Sequence, residues 1–335
     1  MAGFERWVGE VRLGWRARER SVVLTIPAAI CATLVRVGHV GDESVVKRIL
    51  LLLLLLVPVR AVPAQLKIAT WNLDWLTTRP AGDRQLPADV TPRSEDDFAK
   101  LAQYATELNA DVIAIQEVDG FPAASKVFSR DQYSIHMSRD HVVQRVGIVV
   151  RRGLHYDVNP DLTELSANHL RSGVDITLHL NGTDLRLLAV HLKKGCRNEA
   201  LTKSLVCEEL RSQIPPISGW IDARNQEKSA FLILGDFNRW MGGKDTFLPE
   251  LIKVAPLVRA TEGRSSPCWG GENFIDHILA GGAAAGWIQA DSLRVLTYRE
   301  TDQSWQDRLS DHCPVSVRVT VPAGPSDQPA VRDGG

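Results

Sequence analysis

Six apolar runs in this chain end abruptly in a cluster of Asp, Asn, Glu or His. They are Thr70-Trp71-Asn72-Leu73-Asp74, Ile115-Gln116-Glu117, Val190-His191, Gly235-Asp236-Phe237-Asn238, Ile275-Asp276-His277 and Ser310-Asp311-His312. A packed strand delivers its terminal side chains to one rim of a sheet, so such ends can converge on a single site. A lone Asp at a strand end is more often a turn former or helix cap. Six together call for a fold that gathers strand ends along one edge.

The rest of the pattern fits alternating short strands and helices without internal repeats. Strands are expected at Leu66–Trp71, Asp111–Gln116, Tyr133–Met137, Val146–Arg151, Phe231–Leu234, Phe274–Leu279 and Pro314–Val321. Val174–Leu180 and Asp184–His191 alternate apolar and polar residues around Asn181-Gly182, a tight-turn signal for a hairpin. Ser94-x-x-Asp97 reads as a capping box for a helix carrying Phe98, Leu101, Ala102, Ala105 and Leu108. A second helix is expected over Glu199–Gln213, stopped by Pro215-Pro216 and resumed at Ile217–Gln226. Adjacent hairpins and a strand-rich second half predict an α+β domain over residues 65–321. In it, two mixed or antiparallel sheets pack face to face with helices outside.

The N-terminal region has its own signature. Lys47 and Arg48 precede an apolar run from Ile49 to Val59, followed by small residues at Ala61-Val62-Pro63-Ala64. That pattern is a secretory signal peptide over residues 45–64, and the run falls short of the roughly 18 apolar residues a membrane span needs. Residues 1–44 then read as a mis-assigned or disordered extension; a genuine Arg-rich leader from Arg6 to Arg20 is the competing reading. The tail 322–335, rich in Pro, Gly and Asp, is expected to be disordered. The expected product is secreted or periplasmic, monomeric, and not inserted in a membrane once the signal is cleaved. Residues 1–64 hold nine basic and five acidic residues, so their removal takes the formal charge from −1 to near −5. That balance argues against indiscriminate coating of nucleic acid, though not against local grip on a substrate.

The polar clusters are rich in hard oxygen donors, which suit Mg²⁺, with Mn²⁺ or Ca²⁺ as alternatives. HExxH, paired CxxC, GxSxG and P-loop patterns are absent from the sequence. Carboxylates, an amide and histidines around a hard metal match the needs of phosphate ester hydrolysis.

The segments KIATWNLDWL, IQEVDG, LGDFN, FIDHIL and SDHCPV, in that order, resemble the endonuclease/exonuclease/phosphatase superfamily. The resemblance implies the DNase-I-like four-layer α/β/β/α sandwich and a metal-dependent phosphodiester hydrolase, with an extracellular nuclease as first reading. A sphingomyelinase-like lipid phosphodiesterase, a phosphomonoesterase and an inactive binding module follow in that order. It further implies Glu117 as principal metal ligand with Asn72, Asp74 and Asp311 near the ion, and Asn72 close to the phosphate as well. Asp236 would orient or activate water, Asn238 would hold the phosphate, and His312 would contact it with Asp276 as partner. His191 matches a second histidine and Arg171 a phosphate-contacting arginine. The glutamate usually paired with that second histidine is missing; Gln144 or Arg145 stands in its place, which weakens a general-acid role for His191.

Other residues carry blander expectations. His277 should point to the opposite face from Asp276, and His136, His141, His155, His169 and His179 match no motif. Lys193-Lys194 can touch phosphates or form a solvated turn, and the nine Trp residues read as core and loop anchors. Four of the five cysteines lie beyond residue 64, an even number that favours disulfides in an exported protein, with three connectivities open. Proximity pairs Cys196 with Cys207. The implied meeting of Asp276 and His312 pairs Cys268 with Cys313.

Overall fold

A computed structural model describes residues 63–324. The extension, the expected signal peptide up to residue 62 and the tail from 325 onward lie outside the described residues; Ala64, expected as the last residue of the signal, instead opens β1 opposite Val321. In chain order the strands are β1 (Ala64–Leu76), β2 (Val112–Val118), β3 (Tyr133–Met137), β4 (Arg145–Arg151), β5 (His155–Val158), β6 (Val174–Leu180) and β7 (Thr183–His191). They continue with β8 (Ala230–Asp236), β9 (Leu257–Arg259), β10 (Ser265–Ser266), β11 (Glu272–Asn273), β12 (Asp276–Gly281), β13 (Arg294–Val295) and β14 (Val315–Val321). The helices are α1 (Glu95–Leu108), α2 (Gly120–Val127), α3 (Leu205–Ser212), α4 (Ile214–Gln226), α5 (Phe247–Ile252) and α6 (Ser304–Arg308).

Two six-stranded mixed sheets result, ordered β13-β14-β1-β2-β4-β3 and β5-β6-β7-β8-β12-β9, with β10 and β11 forming a separate ribbon. Each sheet holds one parallel pair, β1 with β2 and β7 with β8. One core joins inward residues of both sheets, among them Leu66, Ile68, Ala114, Leu187, Leu234 and Ile278. A second lies between the first sheet and α1, and a third between the second sheet and α3, α4 and α5. This is the α/β/β/α sandwich expected from the sequence.

Strand parity carries the fold into the site. On β8, Ala230, Leu232 and Leu234 face the other sheet, so Asp236 follows on the same face. On β7, Leu185, Leu187 and Ala189 lead likewise to His191. Ile278 and Ala280 on β12 place Asp276 on that face, and Leu66 and Ile68 on β1 place Thr70 and Asn72 there. The inter-sheet layer therefore runs from apolar to polar toward one end, beginning where Thr70 donates to Gln116 Oε1 at 3.2 Å.

Several local expectations meet the structure directly. Ser94 and Asp97 form the reciprocal capping box of α1. Asn181 and Gly182 both take positive φ, 50° and 77°, as a tight hairpin turn with right-handed strands requires. Two boundaries differ. The helix expected from Glu199 begins at Leu205, where the Ser204 hydroxyl caps it by accepting from the Cys207 N–H. The helix does end before Pro215-Pro216, at Ser212, but the next one resumes earlier than expected, at Ile214, with both prolines in the first turn of α4, where a missing N–H costs nothing. Residues 322–324, expected in the tail, dock on the hairpin: Gly324 N–H donates to Asn181 O and Thr183 Oγ1 to Pro322 O, each at 3.0 Å. No helix among the described residues is long and apolar enough to cross a membrane.

Gly235, one residue before Asp236, permits the close approach of β7 and β8 at the polar end of the sheets. A Cβ there would lie 1.9 Å from the Val190 carbonyl oxygen, at a φ of 152° that L side chains avoid. Gly235→Ala is expected to destabilise the fold by about 3 kcal/mol. Urea unfolding measures this, and a loss below about 1 kcal/mol would contradict the contact.

Candidate active site

The polar ends meet between the sheets at one rim. Asn72 lies at the centre: its Nδ2 donates to Glu117 Oε1 and to Asp236 Oδ2, both at 3.1 Å. One amide thus ties the first sheet to the second. Glu117 is the residue that breaks parity. Ile113 and Ile115 face the helices, which would send Glu117 outward with them. A left-handed φ of 59° at Glu117, at the shift in β2–β4 register between Ile115 and Val118, turns it to the site. Glu117 Oε2 also accepts from the Trp75 N–H at 3.3 Å and from Gln144 Nε2. Asp74 and Trp75 are themselves left-handed, with φ of 42° and 52°. Backbone strain at three residues around one carboxylate persists where the surrounding structure enforces it.

Asp236 is supported from behind by Asn238. The Asn238 N–H donates to Asp236 Oδ1 at 2.7 Å, and its Nδ2 to Asp236 Oδ2 at 3.0 Å and Leu192 O at 3.1 Å. Burial pushes the Asp236 carboxyl up, and Asp276 adds to the shift against the opposing pull of His312.

His312 Nδ1 lies 2.7 Å from Asp276 Oδ2, while its Nε2 faces Asp236 Oδ2 at 3.8 Å and Asp311 Oδ1 at 3.7 Å. Burial alone would lower its pKa, but Asp276 and Asp236 outweigh it and hold the imidazole well above its ordinary value. The His312 backbone is pinned too: its N–H donates to Ser310 Oγ at 3.0 Å, and its carbonyl accepts from Tyr298 Oη at 2.9 Å.

His191 is fully buried, with Nε2 2.9 Å from Arg171 Nη2. It lies 3.5 Å from Glu117 Oε1 and 3.6 Å from Asp236 Oδ2. Burial and the neighbouring Arg171 cation push its pKa well below the usual value, so Nε2 accepts and has no proton to give. Arg171, not Gln144 or Arg145, is the direct neighbour of His191. Gln144 instead links Glu117 to Arg171, whose Nη2 lies 3.4 Å from Gln144 Oε1. Arg145 turns away to Val142 O and Asp119.

Asp74 and Asp311 stand at the outer side. Burial and the Asp311 carboxylate push Asp74 up to about 7, with Glu117 adding and Arg93 opposing. Arg93, buried at the end of the 77–93 loop, donates to Leu73 O and Leu309 O, and lies 3.5 Å from Asp74 Oδ2. The donor set fits a hard divalent ion. Glu117, His191 and Asp236 offer ligand atoms within 4.8 Å of one another, as do Asp236, Asp276 and His312. The crowding that raises Asp74 is the kind a divalent cation relieves.

The remaining sequence candidates fall outside the centre. His277 is buried on the opposite face of β12 and satisfied by Thr261 Oγ1 at 2.6 Å and Arg239 O at 2.9 Å. Lys193 pairs with Glu209 at 2.8 Å. The cysteines pair as expected, Cys196 with Cys207 and Cys268 with Cys313, one bridge on the loop after His191 and the other directly behind His312. Sequence reasoning passed over Arg93 and Tyr298, which carry no motif of their own, and named Ser310 only as part of its cluster, without a role; all three hold backbone of the candidate site.

Fold and site together match a hydrolase of phosphate esters whose buried carboxylate and histidine groups could hold a divalent metal. A family model described as the endonuclease/exonuclease/phosphatase family matches residues 69–312, and the chain belongs to that family. Truncated TDP2 from Caenorhabditis elegans has a similar fold, with a TM-score of 0.54 at 15% identity over 77% of this chain and 98% of that one. The 3'-5' exonuclease NExo from Neisseria meningitidis gives 0.51 at 18%, over 76% and 99%. TDP2 from D. rerio, complexed with a single strand DNA product, gives 0.50 at 16%, over 76% and 98%. No curated protein matches the sequence.

Proposed function

We propose that the protein is an exported, Mg²⁺-dependent phosphodiesterase whose substrate is nucleic acid. The observation that carries this reading is the bridge from Asn72 to both Glu117 and Asp236, set beside the His312–Asp276 pair. Glu117, with Asn72, Asp74 and Asp311 nearby, would hold the ion, which supplies charge neutralisation at the non-bridging phosphate oxygens.

The chain's own groups do the rest. Asp236, steadied by Asn238, orients and accepts a proton from the attacking water. His312, kept cationic by Asp276, donates a hydrogen bond from Nε2 to a phosphate oxygen as charge develops there. Arg171 presents its guanidinium to the phosphate, with Nε free of any protein partner. His191 receives the Arg171 hydrogen bond and supports that cation. DNA-bound relatives of the same fold support a nucleic acid substrate. Two disulfides and the signal-like segment support export to an oxidising compartment.

The test is hydrolysis of plasmid DNA, RNA, sphingomyelin and bis-p-nitrophenyl phosphate with Mg²⁺, each paired with an EDTA control. Cleavage of nucleic acid that EDTA abolishes is the expected result. Raising salt from about 50 to 200 mM should slow it by about tenfold through screening of a few phosphate contacts. Sphingomyelin hydrolysis exceeding nucleic acid hydrolysis would place the protein with the lipid enzymes.

A further inference from the structure

Arg171 reaches the site from a stretch without regular structure, between the 3-10 turn Thr163–His169 and β6. Its side chain is buried, with Nη2 between His191 and Gln144 and Nε unpartnered. No carboxylate among the described residues forms an ion pair with it. A long side chain rooted in irregular backbone needs its backbone held, or its guanidinium samples many positions at an entropic cost to any ordered contact.

Asp140 supplies that hold. Its Oδ2 accepts the Ser172 N–H at 2.9 Å and its Oδ1 the Ser172 hydroxyl at 2.7 Å, so one carboxylate clamps the residue next to Arg171 at two points. Oδ2 also accepts from Ser138 Oγ at 2.8 Å. Both serines are buried. On the far side, Gly173 exchanges backbone hydrogen bonds with Leu162 at 3.1 and 2.8 Å. Asp140 lies in the loop joining β3 to β4 of the first sheet, while Ser172 immediately precedes β6 of the second. The same loop ends in Gln144, which touches both Glu117 and Arg171. A single loop thus fixes the arginine's backbone and meets its guanidinium.

We propose that Asp140 is a positioning residue for the reaction: by clamping Ser172 it sets the Arg171 guanidinium where the scissile phosphate binds. This rests on the reading of Arg171 as the phosphate contact. A loop staple with no link to the reaction would share the hydrogen bonds. It would change stability, whereas a positioning residue changes what Arg171 contributes.

The experiment compares full-length wild type, Asp140→Ala, Asp140→Asn, Ser172→Ala, Arg171→Ala and the Asp140→Ala/Arg171→Ala double variant. It uses bis-p-nitrophenyl phosphate with Mg²⁺, and thermal melts of each protein. Asp140→Ala is expected to lower kcat/KM by about tenfold through a misplaced guanidinium. Asp140→Asn, which keeps one oxygen to accept from Ser172, should recover part of that loss. In the Arg171→Ala background, Asp140→Ala should cost nothing further, the non-additivity expected of residues acting through one another. If Asp140→Ala fails to fold, Ser172→Ala, which removes only the hydroxyl arm of the clamp, should still lower kcat/KM, and should cost nothing further in a Ser172→Ala/Arg171→Ala double variant. Additive losses, or full activity in Asp140→Ala beside an impaired Arg171→Ala, overturn the proposal alone. Full activity in Arg171→Ala overturns the phosphate reading of Arg171 and the proposal with it.

Discussion

His312→Ala is expected to lower turnover by about a thousandfold or more, with the fold intact. The ring is held from both ends, by Asp276 at Nδ1 and by backbone contacts to Ser310 and Tyr298, so its Nε2 is aimed and not merely present. Truncation to Ala removes the donor and leaves Asp276 buried without its partner; Asp276 Oδ1 already lacks one. Asp276→Asn should cost less, because the ring remains, but it should change the pH profile. With Asp276 and Asp236 holding the His312 pKa well above its usual value, the imidazolium persists through neutral pH. Activity that needs the cation is then present at neutral pH and lost as pH rises through the folded-state value. Removing the Asp276 charge moves that alkaline limb to lower pH. Pre-steady-state and pH–rate measurements at saturating substrate decide the matter. Near-full turnover in His312→Ala would remove His312 from the reaction.

Much of this site was legible because strand parity is a local rule. Once Leu232 and Leu234 are recognised as core, Asp236 must follow them onto the same face, and the same holds for His191 after Leu187 and Ala189. His277 was separable from Asp276 for the same reason. What parity cannot deliver is a residue that reaches the site by leaving the strand. Glu117 would point to the helices if β2 continued regularly; its role, like those of Asp236 and His191, came from resemblance, and its left-handed backbone supplies the physical cause of its place. The partner of His191 was misread for a different reason. Position along β4 suggested Gln144 or Arg145, but the neighbour is Arg171, brought in from a segment whose course no periodicity describes. Asp140 had no sequence signal, since a carboxylate clamping one serine across two sheets is a purely tertiary fact. The helix boundary near Cys196 shifted because propensity alone did not register Ser204 as the cap or the first-turn tolerance for Pro215.

Glu117→Gln should separate holding the ion from performing the chemistry. The substitution keeps the shape of the side chain and one carbonyl oxygen that can accept from Asn72 or Trp75, while removing one of the two negative charges on the bridge. Half-saturating Mg²⁺ is expected to rise by about tenfold or more, because charge and deprotonated oxygen donors dominate the affinity of a hard cation. Much of the maximal rate should return once Mg²⁺ is raised to saturation. Asp236→Asn should behave oppositely: the amide cannot take a proton from water, so turnover falls at every Mg²⁺ concentration and excess metal does not restore it. Melting temperatures give a readout independent of activity. An ion that binds only the folded chain stabilises it by mass action, so Mg²⁺ should raise the wild-type Tm more than that of Glu117→Gln at equal concentration. An unchanged Mg²⁺ requirement together with an unchanged Mg²⁺-induced Tm shift would move the ion away from Glu117, and leave Asp236, Asp276 and His312 as the group to hold it.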